Sequence, residues 1–221
     1  MKTFARQLPL VLLTLCTCLA ANAEDLRVET FRGAEIAPHI EDVVRLSNRI
    51  YREYPYCYNG ESRSYEEYLE SYATSDGVMI CIAYQGKEAV GLAAGLPLQE
   101  NRDLYKPPLE EHGYDLKSIF YIGEFGLEPR YQGEGVERTM YEKLARFAKE
   151  GGFKAIALWE LDDASNQAER PQGYIPREQF WEELGFIRHP KLAFRIDWIN
   201  IGETTESSHL AIYWIKSIAT E

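Results

Sequence analysis

Residues 128–135 read Glu-Pro-Arg-Tyr-Gln-Gly-Glu-Gly, or EPRYQGEG. They follow an apolar run, SIFYIGEFGL (118–127), and precede VERTMYEKLARFAKE (136–150). In the latter, Val136, Met140, Leu144 and Phe147 share one helical face and Gly151-Gly152 supply the stop. A strand, two closely spaced glycines and a helix start form a physical recipe for binding phosphate. Unsatisfied backbone N–H groups and the positive end of the helix dipole converge there, and glycine lets an anion approach. Spacing excludes two common solutions. A dinucleotide fingerprint beginning at Gly133 would need glycine where Arg138 stands, and a Walker A loop would need Gly-Lys-Ser/Thr, which is absent.

Outward from this turn the pattern is that of one mixed α/β domain. LRVETF (26–31) alternates as a strand, and Ile36, Ile40, Val43, Val44 and Ile50 predict a first amphipathic helix. Ser64-x-x-Glu67 reads as a capping box for a second, shorter helix carrying Tyr65, Tyr68, Leu69 and Tyr72. VMICIAY (78–84) and AVGLAAGLPL (89–98) predict a hairpin. Residues 99–118 are polar with two prolines, a connection whose length points to function. FKAIALWEL (153–161) is apolar enough for a strand covered on both faces. Pro176 opens a helix that Gly185 ends, and LAFRIDWINI (192–201) and HLAIYWIKSI (209–218) close the chain as strands.

Arg130-Tyr131-Gln132-Gly133-Glu134-Gly135 resembles the [Q/R]-x-x-G-x-[G/A] signature of the GCN5-related N-acetyltransferase (GNAT) superfamily. Leu127-Glu128-Pro129 is similar to that family's strand end, and Phe180-Trp181-Glu182-Glu183-Leu184-Gly185-Phe186 to its later helix end. The element order also matches across residues 26–217. The resemblance implies a mixed central β-sheet flanked by helices and acetyl-CoA as co-substrate, with no metal. It places the pyrophosphate of coenzyme A on Arg130, Gln132, Gly133, Glu134, Gly135 and Val136, and an oxyanion-binding backbone N–H at Leu127.

The reaction so implied is attack of a primary amine on the acetyl thioester. Lysine-like amines have a pKa of about 10.4 and are mostly protonated at neutral pH, so a base is wanted. Glu124, an acid inside an apolar strand, is the candidate; the other reading is an edge-facing or salt-bridged acid. Three departures from the family pattern stand out. Glu134 and Glu137 lie beside a polyanion site, and Trp181 replaces a tyrosine that commonly protonates the departing thiolate. Tyr174 is the proposed substitute acid. The same departures support a second expectation, a binding or interaction protein that keeps the fold without turnover. Transfer of a different acyl group is a third.

For the acceptor, Tyr51, Tyr54, Tyr56, Tyr58, Tyr65, Tyr68 and Tyr72, interleaved with Glu53, Glu61, Glu66, Glu67 and Glu70, suit a cationic small amine or peptide amine. The helical tyrosines 65, 68 and 72 also read as packing residues, and the glutamates as a solvated face. His39, His112, His189 and His209 show no metal or triad spacing, and His209 reads as a surface residue.

The 221 residues, 45% hydrophobic and 27% charged, suit one globular domain, and the net charge of −11 argues against nucleic acid as partner. Lys2 and Arg6 precede LPLVLLTLCTCLA and then Ala21-Asn22-Ala23, the layout of a secretory signal cleaved after Ala23. The expected organisation is therefore a signal at 1–23 and a GNAT-like domain at 24–221, secreted or periplasmic, with no stable membrane insertion after cleavage. The apolar run is short for a bilayer span. Cleavage removes Cys16 and Cys18. Cys57 and Cys81 remain, either paired in an oxidising compartment or, for Cys81, packed as a small hydrophobe.

Overall fold

The computed structural model describes residues 26–60, 63–162, 170–172, 174 and 176–218, so the signal segment lies outside the described residues. Seven strands form one sheet in the order β1-β2-β3-β4-β5-β7-β6. They are β1 (Leu26–Arg32), β2 (Met79–Gln85), β3 (Glu88–Pro97), β4 (Ile119–Leu127), β5 (Ala155–Leu161), β6 (Ile187–Ile199) and β7 (Glu206–Ser217). All neighbours run antiparallel except β4 and β5. That parallel pair is joined only from Ile119–Ala155 to Tyr121–Ala157, after which the two strands diverge.

Each face of the sheet carries its own helices. On one side α1 (Ile40–Tyr51) and α2 (Arg63–Ser71) bury Val43, Leu46, Ile50 and Leu69 against Ile80, Leu92 and Tyr121. On the other, α4 (Val136–Glu150) and α5 (Arg177–Glu183) bury Met140, Leu144, Trp181 and Leu184 against Phe120, Ile122, Phe125 and Leu127. The full covering of both faces explains why β2 to β5 read as nearly continuous apolar runs.

The structure refines several expectations. The first amphipathic segment is split: Gly33–His39 is a 3-10 turn holding Pro38, and α1 proper begins at Ile40. Proline has no N–H to donate, so the first turns cannot continue as one regular helix. The second helix starts at Arg63, which puts Ser64 inside it rather than at a cap. Residues 98–118 are not bare coil. They carry short turns and α3 (Pro107–Glu111), and bury Leu98, Tyr105 and Leu109. Among the described residues no helix is long and apolar enough to cross a membrane.

No disulfide joins Cys57 and Cys81. Cys81 is a fully buried β2 residue in the core under α4, where burial pushes its thiol up to about 12, so it is a small hydrophobe and not a bridge partner.

Candidate active site

One irregularity in β4 organises the site. Ala94 pairs with Glu124 and Gly95 with Ile122, which leaves Gly123 as an extra, bulged residue. Side chains alternate along a strand, so one extra residue reverses the phase. Phe120 and Ile122 face α4; without the bulge Glu124 would join them. With it, Glu124 turns to the opposite face, where α1 and α2 supply its partners. A side chain at Gly123 would force its neighbours to shift, because a Cβ would stand 2.8 Å from the Tyr72 hydroxyl and 3.2 Å from that of Tyr68.

Glu124 is 2% exposed. Its Oε2 accepts from Tyr65 Oη at 2.7 Å and from Ser47 Oγ at 3.2 Å. Burial raises its pKa to about 7, against the opposing pull of hydrogen bonds from Tyr65, Tyr51 and Ser47 and of the Arg102 charge. It is thus neither edge-facing nor salt-bridged. It is a buried carboxylate held by hydroxyl donors and poised near neutrality, which is where a general base works best. Ser47 lies outside the cavity lining, so it positions Glu124 without forming a wall. Replacing it with alanine removes a donor that favours the ionised form. The rising limb of the pH–rate profile is therefore expected to move alkaline by about half a unit to one unit. An unmoved profile would detach Ser47 from the base.

Glu124 opens onto a cavity of about 450 Å³. Tyr51, Tyr56, Tyr58, Tyr65, Tyr68, Tyr105, Trp159 and Trp198 give its walls many aromatic faces, between which stand Arg102, Arg177 and Arg195 and the acids Glu160, Asp197 and Glu206. Tyr65 and Tyr68 line it and are more than packing residues, whereas Tyr72 belongs to the core and donates to Tyr68 Oη at 3.0 Å. Glu66, Glu67 and Glu70 are exposed, as a solvated face requires. The tyrosine-bearing loop after α1 is fixed to β6: Asn59 N donates to Ile199 O at 3.1 Å, Ile201 N to Cys57 O at 2.7 Å, and Trp198 Nε1 to Tyr56 O at 3.0 Å. His209 is not a surface residue. It is 7% exposed and stacked on Trp198 with ring centroids 3.8 Å apart.

The divergence of β4 from β5 forms the second half of the site. Arg177 Nη1 donates to Phe125 O at 2.8 Å, and Gln132 Nε2 donates to Leu127 O at 3.0 Å. In an extended strand the N–H and C=O of one residue leave by the same edge. The Leu127 N–H therefore also points away from β3, toward the opening. Across it, Glu160 on β5 accepts from Trp181 Nε1 and from Tyr56 Oη, both at 2.7 Å.

At the far end lies the glycine turn. Gly133 and Gly135 have φ of +84° and +81°, and a Cβ at either would meet nothing within 4 Å. Gly135 is the N-cap of the 15-residue α4 and makes no side-chain cap bond to the first N–H groups of that helix. These residues fit a pyrophosphate. Glu134 is exposed. Glu137 is turned inward; burial raises its pKa and the nearby Arg177 charge opposes that shift. Val136 is buried as the first residue of α4. Arg130 sits over the Tyr131 ring and is engaged by Glu88 and Glu128, each at 3.4 Å.

The structure thus brings Glu124 and Leu127 to the divergence and places Gln132, Gly133, Gly135 and Val136 at the turn. It does not bring Tyr174 into the cavity: that ring packs edge-on against Tyr54 at 4.7 Å, and Tyr174 is not among the lining residues. Sequence reasoning missed Ser47, Glu160 and Arg177. Glu160 carried the same signal as Glu124, an acid in an apolar strand; Ser47 and Arg177 carried none.

Comparison with known proteins agrees with this arrangement. The model of the acetyltransferase (GNAT) family matches residues 42–186. Among solved structures, an acetyltransferase of the GNAT family from Streptococcus pneumoniae superposes with a TM-score of 0.56 at 14% identity, covering 88% of this chain and 100% of its own. The ribosomal-protein-S18-alanine N-acetyltransferase from Escherichia coli gives 0.55 at 15%, covering 89% and 96%. Arabidopsis thaliana NAA60 in complex with acetyl-CoA gives 0.57 at 10%, covering 88% and 99%. At these identities the likeness is one of fold. No curated protein matches the chain. The family match spans more than half of the sequence and contains both the glycine turn and the divergent strands, and this protein belongs to the acetyltransferase (GNAT) family.

Proposed function

We propose that the protein is an N-acetyltransferase that takes acetyl from acetyl-CoA and places it on a primary amine, cationic in solution, bound in the aromatic cavity. The observation that carries this reading is Glu124: a buried carboxylate with a pKa of about 7, at the base of an aromatic cavity and beside the opening between β4 and β5.

When bound, acetyl-CoA supplies the acetyl group as an activated thioester. Backbone N–H groups of Gly133, Gly135 and Val136 would hold its pyrophosphate. The tyrosine and tryptophan faces receive the ammonium form of the acceptor, which gives up one proton to solvent before it attacks. Glu124 takes the proton from the amine nitrogen, and its carboxylate is held toward the reacting centre by Tyr65 and Ser47. The Leu127 N–H is the donor for the charge that develops on the carbonyl oxygen. Export is part of the reading and rests on residues 1–23 alone; it is tested by whether the exported chain begins at Glu24.

The test is release of free CoA thiol by purified protein with polyamines, aminoglycosides and peptide amines as acceptors. Stimulation above background hydrolysis by any of them is expected. No stimulation alongside tight CoA binding would favour the fold-retaining binding protein instead.

A further inference from the structure

Position 181, where the family pattern expects an acid for the departing sulfur, holds an indole whose N–H is committed to Glu160 at 2.7 Å in a fully buried site. Beside it, Arg177 enters the opening between β4 and β5. Its Nη1 donates to Phe125 O at 2.8 Å and stands 3.7 Å from Glu160 Oε1. Burial works against the guanidinium charge, but Glu160, Tyr56, Tyr51 and Glu137 together hold its pKa above the ordinary arginine value. Its two contacts locate it, and it lines the same cavity as Glu124. Glu137 belongs to the first turn of α4 at the glycine turn, and Tyr51 and Tyr56 line the acceptor cavity with Glu124. A permanent cation therefore stands at the opening between β4 and β5, in the cavity that the base also lines.

We infer that Arg177 is a catalytic residue that stabilises the leaving sulfur as a thiolate, in place of a proton donor. The inference rests on the acetyl-CoA reading above. As the N–C bond forms, the amine proton passes to Glu124. As the C–S bond breaks, its electron pair stays on sulfur opposite the guanidinium, and the thiolate is protonated from solvent after it leaves. Arginine cannot give up a proton in this range, so its contribution is purely electrostatic, and a dry opening strengthens it. Glu160 opposes this effect because it neutralises part of the same charge.

The test is made on bound CoA and needs no turnover. Thiolate difference absorbance is followed against pH in the complex with CoA, relative to the complex with its desulfo analogue, while calorimetry reports binding. The bound thiol is expected to titrate at least about one unit below the ordinary thiol value near 8.5, a tenfold gain in thiolate. Arg177→Gln should return it to the ordinary range with CoA still bound, and Arg177→Lys should keep most of the shift. Glu160→Gln, which retains a hydrogen-bond acceptor for Trp181 or Tyr56, should lower it further. An ordinary thiol pKa in the unmodified protein, or one that Arg177→Gln leaves lowered, overturns the inference while leaving CoA binding intact. If Arg177→Gln does not fold, the direction of the Glu160→Gln shift decides, and no shift overturns it. Absence of CoA binding to the unmodified protein overturns this inference and the acetyl-CoA reading together.

Discussion

Glu124→Gln is expected to lower kcat by about 10²- to 10⁴-fold, the usual contribution of a positioned general base, and to leave CoA affinity unchanged. The substitution is nearly isosteric. Its amide oxygen can still accept from Tyr65 and Ser47, so the loss falls on proton transfer and not on shape. The unmodified enzyme should gain activity as the pH rises through about 7, where Glu124 ionises, and the variant should lack that limb. Stability carries an independent signature. The folded pKa of Glu124 lies above its reference value of 4.5, so the folded state prefers the protonated form. That contribution is full below about 4.5 and is lost as the pH rises through about 7, an amount on the order of 3 kcal/mol. Glutamine does not titrate. The variant should therefore melt close to the unmodified protein at pH 4 and above it at pH 8. A melting difference that does not change with pH would mean that Glu124 is not held near neutrality, and an unaltered rate would reduce it to a structural residue.

The contrast between Glu124 and the glycine turn shows what a sequence can disclose. The turn was legible because its chemistry lies in the backbone and is local: closely spaced glycines between a strand and a helix have few other uses. The element order was legible because both sheet faces are covered and the apolar runs are long. Glu124 could be singled out as an oddity, but not placed. Counting by twos from Phe120 puts it on the α4 face, and the bulge at Gly123 that reverses the count is set by pairing with Ala94 and Gly95. Its partners Ser47 and Tyr65 come from two other helices, 77 and 59 positions away. Arg177 was hidden for a related reason. An arginine at the start of a short helix reads as a surface charge, and only the divergence of β4 from β5 gives its guanidinium a carbonyl, a carboxylate and an opening to occupy. Tyr174, offered from its place in the QGYIPRE insertion, packs against Tyr54, a contact that the sequence does not disclose.

Gly135→Val is expected to reduce CoA affinity by at least about 100-fold, equivalent to roughly 2.7 kcal/mol, or about two charge-assisted hydrogen bonds. Two effects act together. At φ of +81° a β-branched residue is strained, and the backbone relieves that strain by rotating its N–H groups away from convergence. The new side chain also projects into the space that a phosphate would fill, since no protein atom lies within 4 Å of that Cβ. Loss of binding alone would not separate a blocked cradle from a weakened fold. Gly152 provides the control. It follows the other end of α4, has φ of +76° and likewise leaves its Cβ position open. Gly152→Val should therefore incur comparable backbone strain, of about 1–3 kcal/mol, and a similar fall in melting temperature, yet bind CoA as the unmodified protein does. Equal loss of affinity in both variants would trace the effect to the helix as a whole. Retained affinity in Gly135→Val would remove EPRYQGEG from the site, and the divergence around Arg177 and Leu127 would then have to hold the donor without it.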